Sequence, residues 1–254
     1  MLSFPENLSL LRTLQNNIAN HVVKDWPISE TRHLKLFLGD DGQLLTQNPQ
    51  KSNTLSYQSD VPSLQKDQDS EELHFRYIFK NRSYLLGSSK AVLYMSCDDF
   101  DDMDVCTQIR KADMDGKILW SYNVPLRDLA KMGMEKDQIP VVNPMIYLGP
   151  TGNLRASHLA LDKDLTKLHW PVHDHRAEER IKPGEVIKLE IGLWPAGIIF
   201  SEGESLIFKI SGHWMTLAEY PHLQGEFKTI NKGKHHVHFG GQTDSHIILP
   251  FVDL

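Results

Sequence analysis

The sequence predicts an all-β protein, an antiparallel β-sandwich of the jelly-roll kind with a short helical insert. Three features carry that expectation. Short segments alternate apolar and polar residues with period two, most clearly at 186–191 and at Leu206, Phe208 and Ile210. Turn clusters rich in glycine and aspartate separate them, as at 39–42 and 115–116. The strand-helix alternation that would build a parallel sheet is missing. No internal repeat of twenty to fifty residues points to a solenoid or propeller. A chain of 254 residues can bury an adequate core as one large β domain or two smaller ones.

Residues 1–33 read as a lead-in, with a short apolar stretch at 8–14, and residues 34–254 as the sandwich domain. A strand at 34–38 runs into the turn Gly39-Asp40-Asp41-Gly42, which predicts a hairpin. The segment 46–72 is rich in Gln, Ser, Asn and Asp and is expected as a polar surface excursion. Leu73, Phe75, Tyr77 and Phe79 then alternate as one face of a half-buried strand. Strands at 91–97 and 105–111 flank the acidic run 98–104 and are expected to pair in a meander that Asp115-Gly116 turns into 117–120. The insert 121–155 is expected to cap one end, with a helix at 126–134 facing Leu126, Leu129, Ala130 and Met132 inward and an irregular stretch around Pro140, Pro144 and Pro150. Trp194-Pro195 is expected to break the strand begun at 186, and Gly203 turns the chain into the next. Segments 235–239 and 246–252, joined through Gly240-Gly241, complete the sheets.

A formal charge of −6 offers no broad basic surface, which argues against nucleic acid as a partner. The longest nearly apolar stretch, 191–200, is interrupted by Gly and Pro and falls short of the ~20 residues a membrane helix needs, so no membrane partner is expected. The first residues lack the basic and apolar pattern of a secretion signal. Cys97 and Cys106 are expected as reduced thiols, and a cytoplasmic location follows; the sequons at Asn7 and Asn81 would matter only outside the cell.

Chemistry is sparse. A Gly-x-Ser-x-Gly nucleophile elbow is absent. His173-Asp174-His175 and His235-His236-Val237-His238 resemble metal ligands, with His236 and His238 on one strand face and His246 or Asp244 as a third ligand, but neither spacing matches a zinc signature and thirteen histidines cluster readily by chance. The acidic run 98–104 and the turn 113–116 suggest calcium, yet the twelfth position counted from Asp98 or Asp99 is Ile109 or Arg110, not the glutamate an EF-hand requires. Trp120, Trp170, Trp194 and Trp214 could form a sugar-stacking platform, although Trp194, among Ile191, Leu193, Ile198 and Ile199, reads as core. We therefore assign no catalytic residue, no metal ligand and no cofactor from the sequence.

A series of short segments, in order, resembles one family. They are Trp26-Pro27 leading to Leu36-Phe37-Leu38, Asp113-Met114-Asp115-Gly116, Gly152-Asn153-Leu154-Arg155-Ala156-Ser157-His158 with Leu161-Asp162, and Trp170-Pro171-Val172-His173. Lys182-Pro183-Gly184-Glu185, Leu193-Trp194-Pro195, Asn231-Lys232-Gly233 and the closing histidine-rich strands continue the series. Together they resemble the C-terminal non-catalytic jelly-roll domain, galactose-binding-like in shape, of X-Pro dipeptidyl-peptidases, cocaine esterases and α-amino-acid ester hydrolases, over roughly 26–254. The resemblance implies that the Ser-Asp-His triad belongs to an α/β-hydrolase domain upstream of Met1, that the lead-in is the remnant of the connection to it, and that Glu185, Trp194-Pro195 and Asp244-Ser245 serve strand and turn structure. The expected role is then an isolated or truncated domain, inert alone, that walls an active site belonging to an α/β-hydrolase domain or subunit, or that self-associates through its uncovered face. The alternatives are a peptidase or acyl esterase working with such a partner, and a carbohydrate- or peptide-binding module.

Overall fold

The computed structural model describes residues 23–253; the stretch at 8–14, the sequon at Asn7 and most of the expected lead-in lie outside them. The strands are β1 (Arg32–Leu38), β2 (Leu44–Leu45), β3 (Asn53–Gln58), β4 (Glu72–Ile78), β5 (Ser83–Cys97), β6 (Asp104–Ala112), β7 (Ser121–Tyr122), β8 (Ile146–Tyr147), β9 (Thr151–Arg155), β10 (Ile187–Phe200), β11 (Ser205–Ser211), β12 (Lys234–Phe239) and β13 (His246–Val252), with one α-helix, α1 (Leu126–Lys131). A seven-stranded sheet and a four-stranded sheet, β4-β11-β6-β9, face each other, and β7 and β8 pair apart from both. Every ladder between these strands is antiparallel, so the expected all-β sandwich is what the chain forms.

The long strand β5 organises the larger sheet. It pairs with β10 from Met95 to Ser83 along one edge. Because a strand has two edges, β12 and β13 must share the other, and they do: His235–His238 lie against Cys97–Tyr94, and β13 follows against Val92–Tyr84. β3 then adds to β12 and β1 to β13. The chain passes between β12 and β13 through Gly240 and Gly241, both at positive φ (78° and 57°), where a side chain would be strained.

Period-two alternation sends Leu189, Ile191, Leu193 and Phe200 from the larger sheet, and Leu206, Phe208, Ile210 and Ile109 from the smaller, into one shared core. Phe75 and Phe79 join it as expected, with Leu73 and Tyr77 packed at its edge. On one flank the two sheets approach backbone to backbone: a Cβ at Gly152 in β9 would stand 2.3 Å from the carbonyl oxygen of Gly192 in β10, so no larger residue fits there.

Several local expectations are corrected. The excursion at 46–72 contains β3, whose Tyr57 is buried and whose Leu55 packs against the core; a polar composition hid a strand anchored by two inward side chains. The strands flanking the acidic run do not pair with each other, because β5 belongs to the larger sheet and β6 to the smaller, and residues 98–103 carry the chain across the sandwich. Cys97 and Cys106 are accordingly free, and both are buried. The stretch 117–120 forms only an isolated bridge, Ala112 to Ile118. Helix α1 is shorter than expected and buries Leu129 but leaves Met132 77% exposed, since a helix of one and a half turns presents one narrow stripe to the protein. The end of the insert 121–155 is the sheet strand β9.

Trp194-Pro195 does not end its strand. β10 runs through the pair with a register shift between Leu193 and Ala196, a bulge that an edge strand tolerates because the proline removes no ladder hydrogen bond. Trp194 is 70% exposed and is not part of the core. Ile191 and Leu193 point inward, so their neighbour one residue on points out; composition suggested burial where the period dictates exposure.

Candidate functional surfaces

The histidines of β12 divide by alternation. His235 points inward, fully buried, with its Nδ1 3.0 Å from the Tyr57 hydroxyl. His236 and His238 lie on the outer face of the larger sheet with ring centroids 6.5 Å apart. His238 is taken up by Thr54 Oγ1 at 3.0 Å and Ser96 Oγ at 2.9 Å. The third ligands considered are engaged elsewhere: Asp244 accepts from Lys35 Nζ at 2.9 Å, and the His246 ring turns to the Asp244 carbonyl. His173 donates from Nε2 to the Glu190 carbonyl at 2.9 Å, while His175 packs against His158, centroid distance 5.2 Å, a neighbour the sequence did not single out. Among the described residues no group of three or more His, Cys, Asp or Glu side chains is arranged to hold a metal.

His236 also completes an arrangement that a search for nucleophile elbows cannot find. Its Nδ1 is 2.7 Å from Ser56 Oγ and its Nε2 is 3.2 Å from Asp98 Oδ2. Serine, histidine and aspartate thus stand in line, drawn from β3, β12 and the acidic run. The environment is wrong for catalysis by such a line. Ser56 is exposed in mid-strand rather than on a strained turn, and the Asp98 side chain is 65% exposed, so water screens the charge that a buried triad aspartate would exert.

Two further carboxylates of the acidic run are fastened rather than open. Asp102, fully buried, accepts from the Met103 and Ser157 amides, from Ser157 Oγ at 2.8 Å and from Arg180 Nη1 at 3.1 Å. Asp104 accepts two hydrogen bonds from Arg155, at 2.7 and 3.1 Å. In the 113–116 turn, Asp113 Oδ1 accepts from the amides of Asp115 and Lys117. These carboxylates fix loops to strands.

The four tryptophans do not form one platform. Trp170 lies on Gly192 in β10, with ring atoms 3.2 Å from where a Cβ would be, and Trp194 stands two residues further along the same outer face. Trp120 and Trp214 belong to the opposite side, over the smaller sheet. There β6 turns Gln108 and Arg110 outward, both fully buried under covering loops. Asp67 binds Arg110 through both oxygens, at 2.6 and 3.1 Å, and also accepts from Trp120 Nε1 at 3.1 Å. Gln108 donates to the Met215 carbonyl at 2.9 Å, next to Trp214.

That covering layer carries several exposed apolar side chains. Between β11 and β12 the segment 212–233 buries Met215, Leu217 and Ala218 and leaves Trp214, Tyr220, Leu223, Phe227 and Ile230 exposed by 37 to 55%. Its backbone is anchored at Gly212, Ala218 and Phe227: Ser63 and Phe227 exchange amide-carbonyl hydrogen bonds at 2.9 Å, the Asn143 amide donates to Ala218, and the Asn231 side chain donates to the carbonyls of Gly212 and Asp104. Sequence reasoning took only Trp214 and Asn231-Lys232-Gly233 from this segment, because its apolar residues follow neither strand nor helix spacing.

A shallower feature lies at one end of the sandwich, a groove of about 340 Å³ whose lining includes Arg32, Tyr77, Arg82 and Tyr84. Arg32 reaches Asp253 across the surface at 2.8 Å.

The comparisons with known proteins agree with this geometry. The family model described as the X-Pro dipeptidyl-peptidase C-terminal non-catalytic domain matches residues 6–248. Among solved structures, a CocE/NonD family hydrolase from Staphylococcus aureus superposes with a TM-score of 0.74 at 25% identity, over 92% of this chain and 38% of its own. An aminopeptidase from a marine sediment Thaumarchaeota archaeon gives 0.63 at 15% identity, over 92% of this chain and 39% of its own, and an α-amino acid ester hydrolase 0.55 at 14%, over 86% and 36%; these two show the fold alone. No curated protein matches. The chain spans less than two fifths of the length of each of these structures, and no helix among the described residues is long and apolar enough to cross a membrane. Fold, ordered motifs and family match lead to one conclusion: the chain belongs to the family of X-Pro dipeptidyl-peptidase C-terminal non-catalytic domains.

Proposed function

We propose that this domain is catalytically inert by itself and works by packing against an α/β-hydrolase domain, in the same polypeptide or on a separate subunit, whose active-site cleft it helps to wall. The observation that supports the reading most directly is the solvated Ser56-His236-Asp98 line. It is the described residues' nearest approach to a hydrolytic site by serine, and it lacks the strained elbow and the buried aspartate that activate a serine. The buried, unbridged thiols Cys97 and Cys106 fit a reducing, cytoplasmic setting. Treatment of the purified chain with a fluorophosphonate probe, followed by peptide mass spectrometry, tests inertness: no serine, Ser56 included, is expected to be modified, and X-Pro peptide or acyl-ester hydrolysis is expected only once a hydrolase-bearing chain is added. A stoichiometric adduct on the chain alone overturns the reading.

The end groove favours a second reading, a binder of short peptides or sugars, because tyrosines stack on flat ligand faces while guanidinium groups pair with polar ones. Calorimetric titration with X-Pro dipeptides and with a glycan panel separates the two; saturable binding lost in Tyr84→Ala establishes the binder.

A further inference from the structure

The loop between β9 and β10 is fastened to the body largely through histidines, and we infer that its lobe, residues 160–175, is a pH-operated latch, docked on β10 while its imidazoles are neutral and released when they take up protons. The lobe closes on itself: the Asp162 amide donates to the Val172 carbonyl and the Asp174 amide to the Ala160 carbonyl, both at 2.8 Å. Its attachments to the rest of the domain include one apolar contact, Trp170 and Pro171 on Gly192, 3.2 Å from where a Cβ would stand. Three more run through imidazole rings. His173 Nε2 meets the Glu190 carbonyl at 2.9 Å, His169 stacks on His33 of β1 at 5.6 Å between centroids, and His175 packs against His158 at 5.2 Å, with His173 6.1 Å from His175.

The docked lobe accommodates those protons poorly. A carbonyl only accepts, so the proton on neutral His173 sits on Nε2 and Nδ1 carries a lone pair. That Nδ1 is buried without a hydrogen-bond partner among the described residues, and so is Nδ1 of His158. An imidazolium carries hydrogen on both nitrogens, so charging either ring creates a buried N–H with nothing to receive it. Pairing adds to the cost, because imidazoliums 5.2 and 5.6 Å apart repel. His33 shows the same opposition: burial and then the neighbouring His169 hold its imidazole below the ordinary range. The carboxylates around the cluster are already bound to cations, Asp174 to Arg176, Asp102 and Glu178 to Arg180, Glu190 to Lys90 and Lys188, and, beside His33, Asp253 to Arg32.

Once released, the rings are solvated and take up protons near pH 6.5, as free imidazoles do. The released state therefore binds more protons than the docked one, and lowering the pH below about 6.5 favours release by about tenfold per pH unit for each proton coupled to it. What release uncovers is one edge of β10, whose ladder with β5 runs along the other edge and whose Glu190 carbonyl the lobe caps.

Fluorine NMR of the full chain labelled with 5-fluorotryptophan reads the latch, since Trp170 rides on the lobe while Trp120 and Trp214 report from the smaller sheet. The Trp170 signal is assigned with Trp170→Phe and its exposure followed by solvent isotope shift from about pH 7.5 to about 5. Trp170 is expected to become solvent-exposed, reversibly, as the pH falls through about 6, while the signals of Trp120 and Trp214 hold their positions. His158→Gln, which leaves the bond to Glu190 in place, should make the transition less steep by about one proton, and His158→Gln with His173→Gln should abolish it. A Trp170 signal unchanged across the range would overturn the latch. So would all three signals moving together, the mark of global unfolding, or a full transition in the double variant, which would place the protons on other groups. Where the double variant is already released at neutral pH, the single variant decides: a transition as steep as that of the native chain overturns the assignment.

Discussion

The two outer faces of the sandwich solve the same problem differently. On the larger sheet, polar side chains satisfy one another sideways across strands: Thr54 and Ser96 hold His238, Ser56 and Asp98 hold His236, and Lys90 and Lys188 share Glu190 at 2.7 Å each. On the smaller sheet, charged residues are buried beneath loops that were built to cover them, and those loops push aromatic side chains outward. Where the larger sheet is uncovered, around β3 and β12, its own side chains close it; where loops cover a sheet, as over the smaller one and where Trp170 lies on Gly192, the loops decide the chemistry of the new surface.

The largest expected effect lies where that covering is pinned. Arg110 is fully buried, and its principal compensation is Asp67. Asp67→Ala leaves a guanidinium without its counter-charge and is expected to cost about 3 to 5 kcal/mol in urea unfolding. The corresponding change on the other face, Asp244→Ala, removes a partner from Lys35 in a pair 35 to 41% exposed and is expected to cost less than about 1 kcal/mol. Equal losses at the two sites would show that the covering loops are as solvated as the open sheet.

Between the faces, His235 reports on the core. Burial holds its imidazole down, to a pKa of about 4, against opposing pulls from Asp104 and Asp60, with His236 reinforcing the burial. Its other ring nitrogen, Nε2, finds no partner among the described residues. The unfolded chain binds a proton at this residue below about pH 6.5 and the folded chain only below about 4, so the unfolded state holds more protons across that window. Stability contributed by His235 is therefore intact above pH 6.5 and is lost progressively as pH falls toward 4, by up to about 3 kcal/mol. Urea titrations at pH 7 and pH 4.5 should show the loss in the native chain and a smaller one in His235→Gln; parallel pH slopes in the two would assign the acid sensitivity elsewhere.

What the sequence could and could not disclose follows from the same alternation. Strands such as β11, where Leu206, Phe208 and Ile210 leave no doubt about the inner face, were legible, and so was the hairpin at 39–42, because glycine and aspartate name their own turn. Trp194 was misread because apolar content was weighed above phase, and β3 was missed because Leu55 and Tyr57 alone, among polar neighbours, make too short a period to stand out. The partition of β5 and β6 between sheets was invisible, since pairing is a property of distant segments. The course of the covering segment 212–233 was invisible for a related reason: it is placed by hydrogen bonds to Ser63, Asn143 and Asp104, not by any repeat of its own.

On the open face, single hydrogen bonds should be worth little. Ser96→Ala removes one partner of His238 while Thr54 retains the other, and the ring edge still reaches solvent, so a loss of about 1 kcal/mol is expected in the same urea assay. A loss several times larger would mean that the lateral network acts as one cooperative unit.

A small effect on stability belongs to the exposed residues of the covering layer, and that is their diagnostic value. Trp214 is 52% exposed, so Trp214→Ser removes only the packed half of the indole and is expected to cost about 1 kcal/mol, well short of a core truncation. The isolated chain is expected to associate as its concentration rises, and the same substitution is expected to reduce that association in sedimentation velocity, because an apolar group left in water is removed. A residue that contributes little to folding yet governs association has its main reason outside the domain. If Trp214→Ser instead destabilises by as much as a core truncation, Trp214 is part of the cover over Gln108 and Arg110 and the two faces differ only in how they are sealed, not in what they present.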